Sequence, residues 1–160
     1  MADACAQSRQ VQFRGIVAFL DGTYSSVPAI VCGDFNAHLD GGDAWPEMNG
    51  WPLRGWLDTF RQYHPDQPGC TEDTQRNTMR WNLKFKPKRY RYDGIFVRGR
   101  APQVTDSRLV GAEPFLLSRT DSQVVIDSTP EHRRGQLILC DGRFAWFVSD
   151  HFGVMSTVEL

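Results

Sequence analysis

A carboxylate and an amide lie two residues apart in Gly33-Asp34-Phe35-Asn36, directly after a short apolar run. On an extended segment, Asp34 and Asn36 would share one side of the backbone. A carboxylate placed there accepts a proton from water, and an amide donates a hydrogen bond to a phosphoryl oxygen. The same residues also suit a turn, because Asp and Asn side chains bond their own backbone. The motif alone leaves both interpretations open.

A second group of reactive side chains lies near the C-terminus, in Ser149-Asp150-His151-Phe152-Gly153. Asp150 offers hard oxygen ligands that suit Mg²⁺ or Mn²⁺. His151 transfers protons near neutral pH, or donates to a phosphate as an imidazolium. The alternative interpretation is a capping or turn aspartate beside a packed histidine.

A third acidic position, Asp93, lies in an apolar and basic segment that is predicted to be a strand. A carboxylate in such a place is costly unless it is paired. His151 would be a natural partner, because a carboxylate fixes the tautomer of an imidazole. The alternative partners are the neighbouring cations Lys88, Arg89 and Arg91.

Basic residues are concentrated in residues 76–100, which hold nine lysines and arginines against one acid, although the formal charge of the whole chain is −1. The overall charge excludes a globally basic nucleic-acid binder. A local basic block favours a polyanion, because clustered cations gain from phosphate contact and counterion release. The ordinary alternative is a solvated strand and loop. The candidate phosphate-contacting residues are Arg76, Arg80, Lys84, Lys86 and Lys88.

The elements that must position these residues are predicted from apolar spacing. Helices are predicted at residues 6–20 and 51–63, and a strand buried on both faces at residues 27–32. Polar, proline-broken sequence predicts a long loop at residues 111–135. Further strands are predicted at residues 90–97, 103–110, 123–126, 136–139, 143–148 and 154–158. Two early helices beside several strands indicate an α/β or α+β layered domain.

The length of 160 residues fits one domain or part of one. The apolar runs are too short to span a bilayer, and no secretory leader is visible. Four widely scattered cysteines without a CxxC pair favour reduced thiols, and hence a nuclear or cytoplasmic protein.

The order of the motifs, GDxN after a strand, RxDxI within a strand and SDH before the last strand, resembles the endonuclease/exonuclease/phosphatase superfamily. Within it, the intervening sequence is most similar to the tyrosyl-DNA phosphodiesterase 2 branch. The resemblance runs from about residue 10 to residue 160. The segments that carry the branch resemblance are GWLDTF at residues 55–60, TEDT at 71–74 with Asn77 and Met79, LVGAEP at 109–114 and VSDHFGV at 148–154.

The resemblance implies a DNase I-like α/β/β/α sandwich, of which residues 1–160 supply roughly the C-terminal half as a partial domain. It implies that Asp34 orients or deprotonates the attacking water and that Asn36 holds the scissile phosphate. His151 would stabilise charge on the phosphoryl oxygens, with Asp93 supporting its imidazole. Asp150 would help to hold Mg²⁺ (or Mn²⁺), directly or through water. The implied reaction is metal-assisted, in-line attack of water on a phosphodiester.

The implied substrate is DNA, either DNA ends or phosphotyrosyl-DNA adducts. The alternatives are another enzyme of the superfamily, acting on abasic DNA, RNA or an inositol phosphate, and a non-catalytic remnant that binds nucleic acid. The basic residues 76–100 would flank the site and receive the substrate backbone.

The sequence departs from the family pattern at three points. Gly94 follows the RxD aspartate where the family has a large residue, which removes a support or substrate contact. Glu72 stands where the branch has Trp or Tyr, and a glutamate facing substrate would repel phosphate. The strand with the principal metal-ligand glutamate would precede GDxN and is absent. The isolated chain is therefore expected to be inactive or nearly so, and to need a complementing N-terminal half or self-association through an exposed sheet face.

Overall fold

The computed structural model describes residues 5–42, 45, 48, 53 and 55–160, with the backbone alone at Lys84. The chain divides into two compact units. Unit 1 comprises Met1–Gly69, Tyr90–Arg108 and Val154–Leu160, and unit 2 comprises Cys70–Arg89 and Leu109–Gly153.

Helices and short antiparallel ladders alternate along the chain, which confirms the α+β class. The elements are α1 (Ala6–Tyr24), β1 (Ala29–Asp34), β2 (Leu57–Asp58), α2 (Thr59–Tyr63), β3 (Glu72–Asp73), α3 (Thr78–Lys84), β4 (Arg89–Tyr90), β5 (Asp93–Arg98), β6 (Gln103–Val110), β7 (Phe115–Leu116), α4 (Arg119–Ser128), α5 (Glu131–Arg134), β8 (Ala145–Trp146) and β9 (Gly153–Glu159).

The sheet of unit 1 has β5 at its centre, with β1 on one side and β2 on the other. β1 runs antiparallel to β5 in a register that starts with Ala29 opposite Arg98 and ends with Asp34 opposite Asp93. Because each residue faces its partner across the ladder, the acids of the GDxN and RxD motifs meet at the end of these strands.

An aromatic core supports this sheet. Phe13 of α1 packs against Phe35, which follows β1, with ring centroids 5.4 Å apart. Phe35 in turn meets Phe96 of β5 edge to face at 5.3 Å. Phe13 and Val17 lie four residues apart on one face of α1, the spacing that brings side chains together on a helix. The buried residues of this core are Phe13, Phe35, Ala37, Leu39, Leu53 and Phe96.

Unit 2 has a separate core around Met79 of α3 and three phenylalanines. β7 pairs with β8 in a short antiparallel ladder, where Phe115 faces Trp146. α4 packs Val125 against this core, and Ser122 Oγ accepts a hydrogen bond from the Phe144 backbone at 2.9 Å. The buried residues of this core are Met79, Phe144, Phe147 and Phe152.

Several predicted elements differ from the structure. Residues 111–135 are not one long loop, because they contain β7, α4 and α5, and residues 123–126 are helical rather than extended. Residues 136–139 form no strand. The second predicted helix is helical only at Thr59–Tyr63, and its first residues, 51, 52 and 54, lie outside the described residues, as does most of the predicted loop at 43–50.

The prediction that the first strand is buried on both faces is wrong. Within the described residues, β1 is the outer strand of its sheet, and 53% of Ile30 is exposed. Among the described strands, β5 has the largest number of buried residues, because it has a hydrogen-bonded neighbour on each side. The apolar run at residues 27–32 therefore predicted an apolar strand, but it did not show which element covers that strand.

The apolar face lies between α1 and β1 and forms a groove of about 850 Å³. Its walls include Phe13, Ile16, Phe19, Ile30 and Val31. The exposed fraction is 59% for Phe19 of α1 and 53% for Ile30 of β1. In the described part of the chain, no helix has the length and apolarity to cross a membrane.

Candidate active site

The end of the β1–β5 ladder brings two carboxylates together in unit 1. Asp34 is exposed and Asp93 is partly buried, and each offers an oxygen within 4.8 Å of the other's. Like charges this close repel each other, so the pair favours a cation near its oxygens. The structure thus assembles in unit 1 two of the residues that the sequence analysis selected separately.

Two glycines lie next to this acidic pair and face each other in the ladder, Gly33 before Asp34 and Gly94 after Asp93. Gly33 has φ = 146°, a conformation that side chains disfavour. A Cβ at Gly94 would lie 2.7 Å from Leu39 Cδ1. Leu39 therefore occupies the space beside Gly94, so this glycine is required by packing, and its missing side chain leaves no gap.

Asn36 does not continue the strand, contrary to the extended geometry assumed for GDxN. It has a left-handed backbone with φ = 50°, and its N–H donates to Asp34 Oδ1 at 2.8 Å. This is the turn bond that Asp commonly makes with the backbone two residues later. The turn leaves both side chains accessible, because Asp34 and Asn36 are exposed.

A buried arginine ties the backbone before Asp93 to its surroundings. Arg91 is 1% exposed, and its guanidinium forms paired hydrogen bonds to Asp40 at 2.8 and 2.9 Å and to Asp58 at 2.7 and 3.2 Å. Its carbonyl accepts the Leu39 N–H at 2.9 Å. Arg91 therefore joins the segment after Asn36 to the end of β2 and the start of β5. The sequence left Arg91 open as a partner for Asp93. In the structure, the guanidinium of Arg91 binds Asp40 and Asp58 instead.

Within the same cluster, the pKa values of Arg91, Asp40 and His38 differ from their ordinary values. Burial by itself would lower the pKa of Arg91, but Asp40 and Asp58 hold it above its ordinary value. Burial would raise the pKa of Asp40, but hydrogen bonds and charges from Arg91 and Arg61 outweigh that effect and lower it. Burial also lowers the pKa of His38, whose Nδ1 accepts the Arg91 N–H at 3.3 Å.

In unit 2, the SDH motif is held by the start of α3. The Asn77 side chain caps α3 by accepting the Arg80 N–H at 3.1 Å, and its Nδ2 donates to the Ser149 carbonyl at 2.9 Å. The Phe152 N–H donates to the Thr71 carbonyl at 2.8 Å. Residues 149–152 are thus fixed at both ends, and His151 between them is partly buried.

Asp150 is partly exposed and forms an ion pair with Arg80. Its Oδ2 accepts from Arg80 Nη1 at 3.0 Å, and Arg80 also contacts Glu72. Glu72 is wholly buried and receives Lys88 Nζ at 3.2 Å. The expectation that Glu72 faces substrate and repels phosphate is therefore wrong, because two cations neutralise it inside unit 2.

These contacts reduce the number of cations available in the basic segment. Arg80 and Lys88 are engaged by acids, whereas Arg76 is exposed and stacks 5.0 Å above the Phe152 ring. Lys86 is exposed, and the Lys84 side chain lies outside the described residues. The local excess of positive charge is thus smaller than the sequence count indicates.

The two acidic sites differ in their fit to a divalent ion. Asp34 and Asp93 offer facing carboxylate oxygens, the ligands that Mg²⁺ and Mn²⁺ prefer. Asp150 does not fit as a direct ligand while its carboxylate binds a guanidinium, because the positive charge of Arg80 repels the ion.

Comparison with solved structures places the fold. The crystal structure of D. rerio TDP2 complexed with single-strand DNA product matches with a TM-score of 0.61 and 22% identity, over 100% of this chain and 53% of that chain. The crystal structure of truncated Caenorhabditis elegans TDP2 matches with a TM-score of 0.57 and 17% identity, over 99% of this chain and 50% of that chain. The chain thus has the DNase I-like fold of these proteins and spans about half the length of the structures that it matches. No family model and no curated protein matches it.

Sequence reasoning missed the ion pairs that hold both motifs. Arg91 lies two residues before Asp93, but its partners Asp40 and Asp58 are distant in the chain. No sequence pattern near Arg91 indicates that it pairs with them. Glu72 and Arg80 lie eight residues apart across a turn and a helix start. The capping asparagine, Asn77, was the one readable sign that a helix starts beside Glu72.

Proposed function

We propose that this chain carries the catalytic half of a divalent-cation-dependent phosphodiesterase that acts on DNA ends. The observation that carries the proposal is the pair of facing carboxylates, Asp34 and Asp93, at the end of a DNase I-like β-ladder. Their arrangement supports hydrolysis, because it combines an exposed proton acceptor with oxygen ligands for a cation.

In this proposal, Asp34 orients the attacking water and accepts its proton, and the Asn36 N–H bond holds the Asp34 carboxylate in position. The exposed Asn36 amide donates to a non-bridging oxygen of the scissile phosphate. Asp93 adds negative charge to the same end of the ladder. A divalent ion held by Asp34 and Asp93 would neutralise charge on the phosphate.

His151 and Asp150 join the proposal through the order of the three motifs. His151 would donate a hydrogen bond to a phosphoryl oxygen as negative charge develops there, supported by Asp93. Asp150 would contribute negative charge to the surroundings of the cation. The bonds from Asn77 and Thr71 support this assignment, since they hold the SDH segment in one conformation.

The nucleic-acid substrate is proposed from one relative and two exposed cations. D. rerio TDP2 was crystallised with a single-strand DNA product. Arg76 and Lys86 lie exposed on unit 2 and suit contacts to a phosphate backbone. Such contacts would add affinity without selecting a base sequence.

We further propose that the groove between α1 and β1 receives the other half of this fold. The solved relatives are about twice as long as the part that the chain matches, and the groove has apolar walls beside the outer strand β1. An added strand would pair with the open edge of β1 and cover Phe19 and Ile30. Self-association of the chain would instead appear as a concentration-dependent dimer in light scattering, and would contradict this occupant.

The assay of this function compares the chain with a chimera. In the chimera, the unmatched part of D. rerio TDP2 is fused ahead of residues 1–160, with the unmatched part alone as the control. We expect Mn²⁺-dependent cleavage of 5′-phosphotyrosyl DNA by the chimera and little turnover by the chain alone, because tight divalent sites need several oxygen ligands. Faster cleavage of abasic duplex, RNA or an inositol phosphate would contradict the substrate, and binding of DNA without hydrolysis of any of them would contradict the enzymatic function.

A further inference from the structure

Four charged side chains form a continuous cluster inside unit 2. Arg80 is shared between Glu72, which is wholly buried, and Asp150, whose side chain is 43% exposed. Lys88 Nζ binds the second oxygen of Glu72 at 3.2 Å. The charges of the four groups balance, and the cluster extends from the interior to the SDH motif.

The buried member of the cluster fixes the position of Arg80. A desolvated carboxylate needs a partner, because an unpaired charge in the interior is strongly destabilising. Arg80 satisfies Glu72 with a side chain that is itself only 13% exposed. The guanidinium therefore has little freedom to turn away from Asp150.

The backbone of Arg80 is held by Asn77, which also binds the SDH segment. Its N–H donates to Asn77 Oδ1, and Asn77 Nδ2 donates to the Ser149 carbonyl, next to Asp150. Side chain and backbone of Arg80 thus both connect to the SDH segment. The distance of 3.0 Å between Arg80 Nη1 and Asp150 Oδ2 follows from these restraints together.

We propose that Glu72 and Arg80 act as a positioning pair that keeps the Asp150 carboxylate bound to a guanidinium and lowers its affinity for a divalent ion. Glu72 holds Arg80, and Arg80 supplies the positive charge that an ion at Asp150 would have to displace. The inference rests on the proposed function only for the role of Asp150, and the affinity of Asp150 for an ion is measurable without any hydrolysis.

The test removes both charges of the positioning pair together. In the 160-residue chain, the double variant Glu72→Gln/Arg80→Met avoids leaving a buried charge unpaired. Mn²⁺ is added stepwise, and the paramagnetic broadening of the amide signals of residues 150–153 gives the dissociation constant. We expect a constant about tenfold or more lower than in the unmodified chain, since removing a positive charge a few ångströms away relieves repulsion of the ion.

The matched control is a second arginine pair of unit 2 with a buried acid. Arg89 Nε lies 3.4 Å from Asp73 Oδ2, and Asp73 is 3% exposed. Asp73→Asn/Arg89→Met should leave the dissociation constant unchanged. Adding Asp150→Asn to the first double variant should abolish its gain. An unchanged constant in the folded variant, or a gain that survives Asp150→Asn, would overturn the proposal.

A measurement on the unmodified chain covers the case in which the double variant does not fold. The Nε–H of Arg80 donates to buried Glu72, so its proton should exchange with water more slowly than that of exposed Arg76. Exchange of Arg80 as fast as that of Arg76 would show that the guanidinium is not held, and the proposal would then be wrong.

Discussion

Asp34 and Asp93 owe their proximity to residues that have no side chain. Gly33 precedes Asp34 and Gly94 follows Asp93, so the two glycines face each other beside the acids, and each is glycine for its own reason. The first needs a backbone conformation open to glycine, and the second leaves room for Leu39. A chemical pair at the strand end therefore depends on backbone geometry that no inspection of the reactive residues would have shown.

Replacement of Gly94 tests that packing. Gly94→Ala places a Cβ against Leu39, so we expect a loss of about 1–3 kcal/mol in the free energy of unfolding, as in other overpacked sites. Urea denaturation measures it. Gly22→Ala is the control, because a Cβ there meets nothing within 4 Å and should stabilise α1 by about 0.5–1 kcal/mol. Equal effects of the two changes would show that Leu39 does not occupy this space.

The lowered pKa of His38 determines how this residue makes the free energy of unfolding depend on pH. Burial lowers this pKa from 6.5, so the unfolded chain binds a proton more readily than the folded one. The contribution of His38 to stability is therefore complete above pH 6.5 and falls as the pH drops below 6.5 towards the lowered pKa. In denaturation between pH 7.5 and 5, His38→Gln should flatten the loss, whereas exposed His132→Gln should not. The same slope in all three proteins would contradict burial of His38.

At the scale of elements, the strand patterns that alternate were the most predictable. β6 lies at the predicted bounds, residues 103–110, and β9 and α1 lie within a few residues of theirs. The prediction of a loop at residues 111–135 was wrong because the sequence sign of α4 is its N-cap residue and not its apolar spacing. Ser118 accepts the Asp121 N–H at 3.0 Å and contacts the Asp121 carboxylate. Such a Ser-x-x-Asp motif marks a helix start even where apolar spacing is weak.

Tertiary ion pairs between elements were beyond sequence reasoning, and Arg91 is the clearest case. Arg91→Met would remove the guanidinium that Asp40 and the partly buried Asp58 share, while Arg61 still pairs with Asp40. Breaking a buried pair in this way costs about 3–5 kcal/mol. The midpoint of urea unfolding should therefore fall strongly.

The control for Arg91 is Arg143, which pairs with Asp141, an acid that is 73% exposed. Arg143→Met should change the unfolding free energy by less than about 1 kcal/mol, as exposed ion pairs do. A loss of the same small size for Arg91→Met would mean that the buried cluster does not tie β2, β5 and the segment after β1 together.

For the molecule as a whole, the exposed face of α1 and β1 is the feature that the sequence pointed to but described wrongly. The apolar pattern of β1 was read as burial on both faces, while the structure exposes Ile30 and Phe19. Periodicity reports which side chains avoid water, and it cannot report whether the covering partner is in the same 160 residues.

That face should bind a hydrophobic dye. Phe19→Asp should reduce the fluorescence of bound anilinonaphthalene sulfonate, while the free energy of unfolding stays within about 0.5 kcal/mol, because Phe19 is 59% exposed. Phe13→Ala, in contrast, should cost about 3–5 kcal/mol, because Phe13 lies in the core. Undiminished dye fluorescence in Phe19→Asp would place the exposed apolar face elsewhere.

The proposed function rests on one claim, that the acidic pair at the end of the β1–β5 ladder carries phosphodiester hydrolysis. The most direct measurement is the initial rate of Mn²⁺-dependent cleavage of 5′-phosphotyrosyl DNA by the chimera with Asp34→Asn. Asp106→Asn serves as the control, an acid on β6 that is 39% exposed and lies 4.0 Å from Arg108. We expect the rate to fall by roughly 100-fold or more for Asp34→Asn, the usual effect of losing a general base, and to be unchanged for Asp106→Asn. Equal rates for the two variants would contradict the claim.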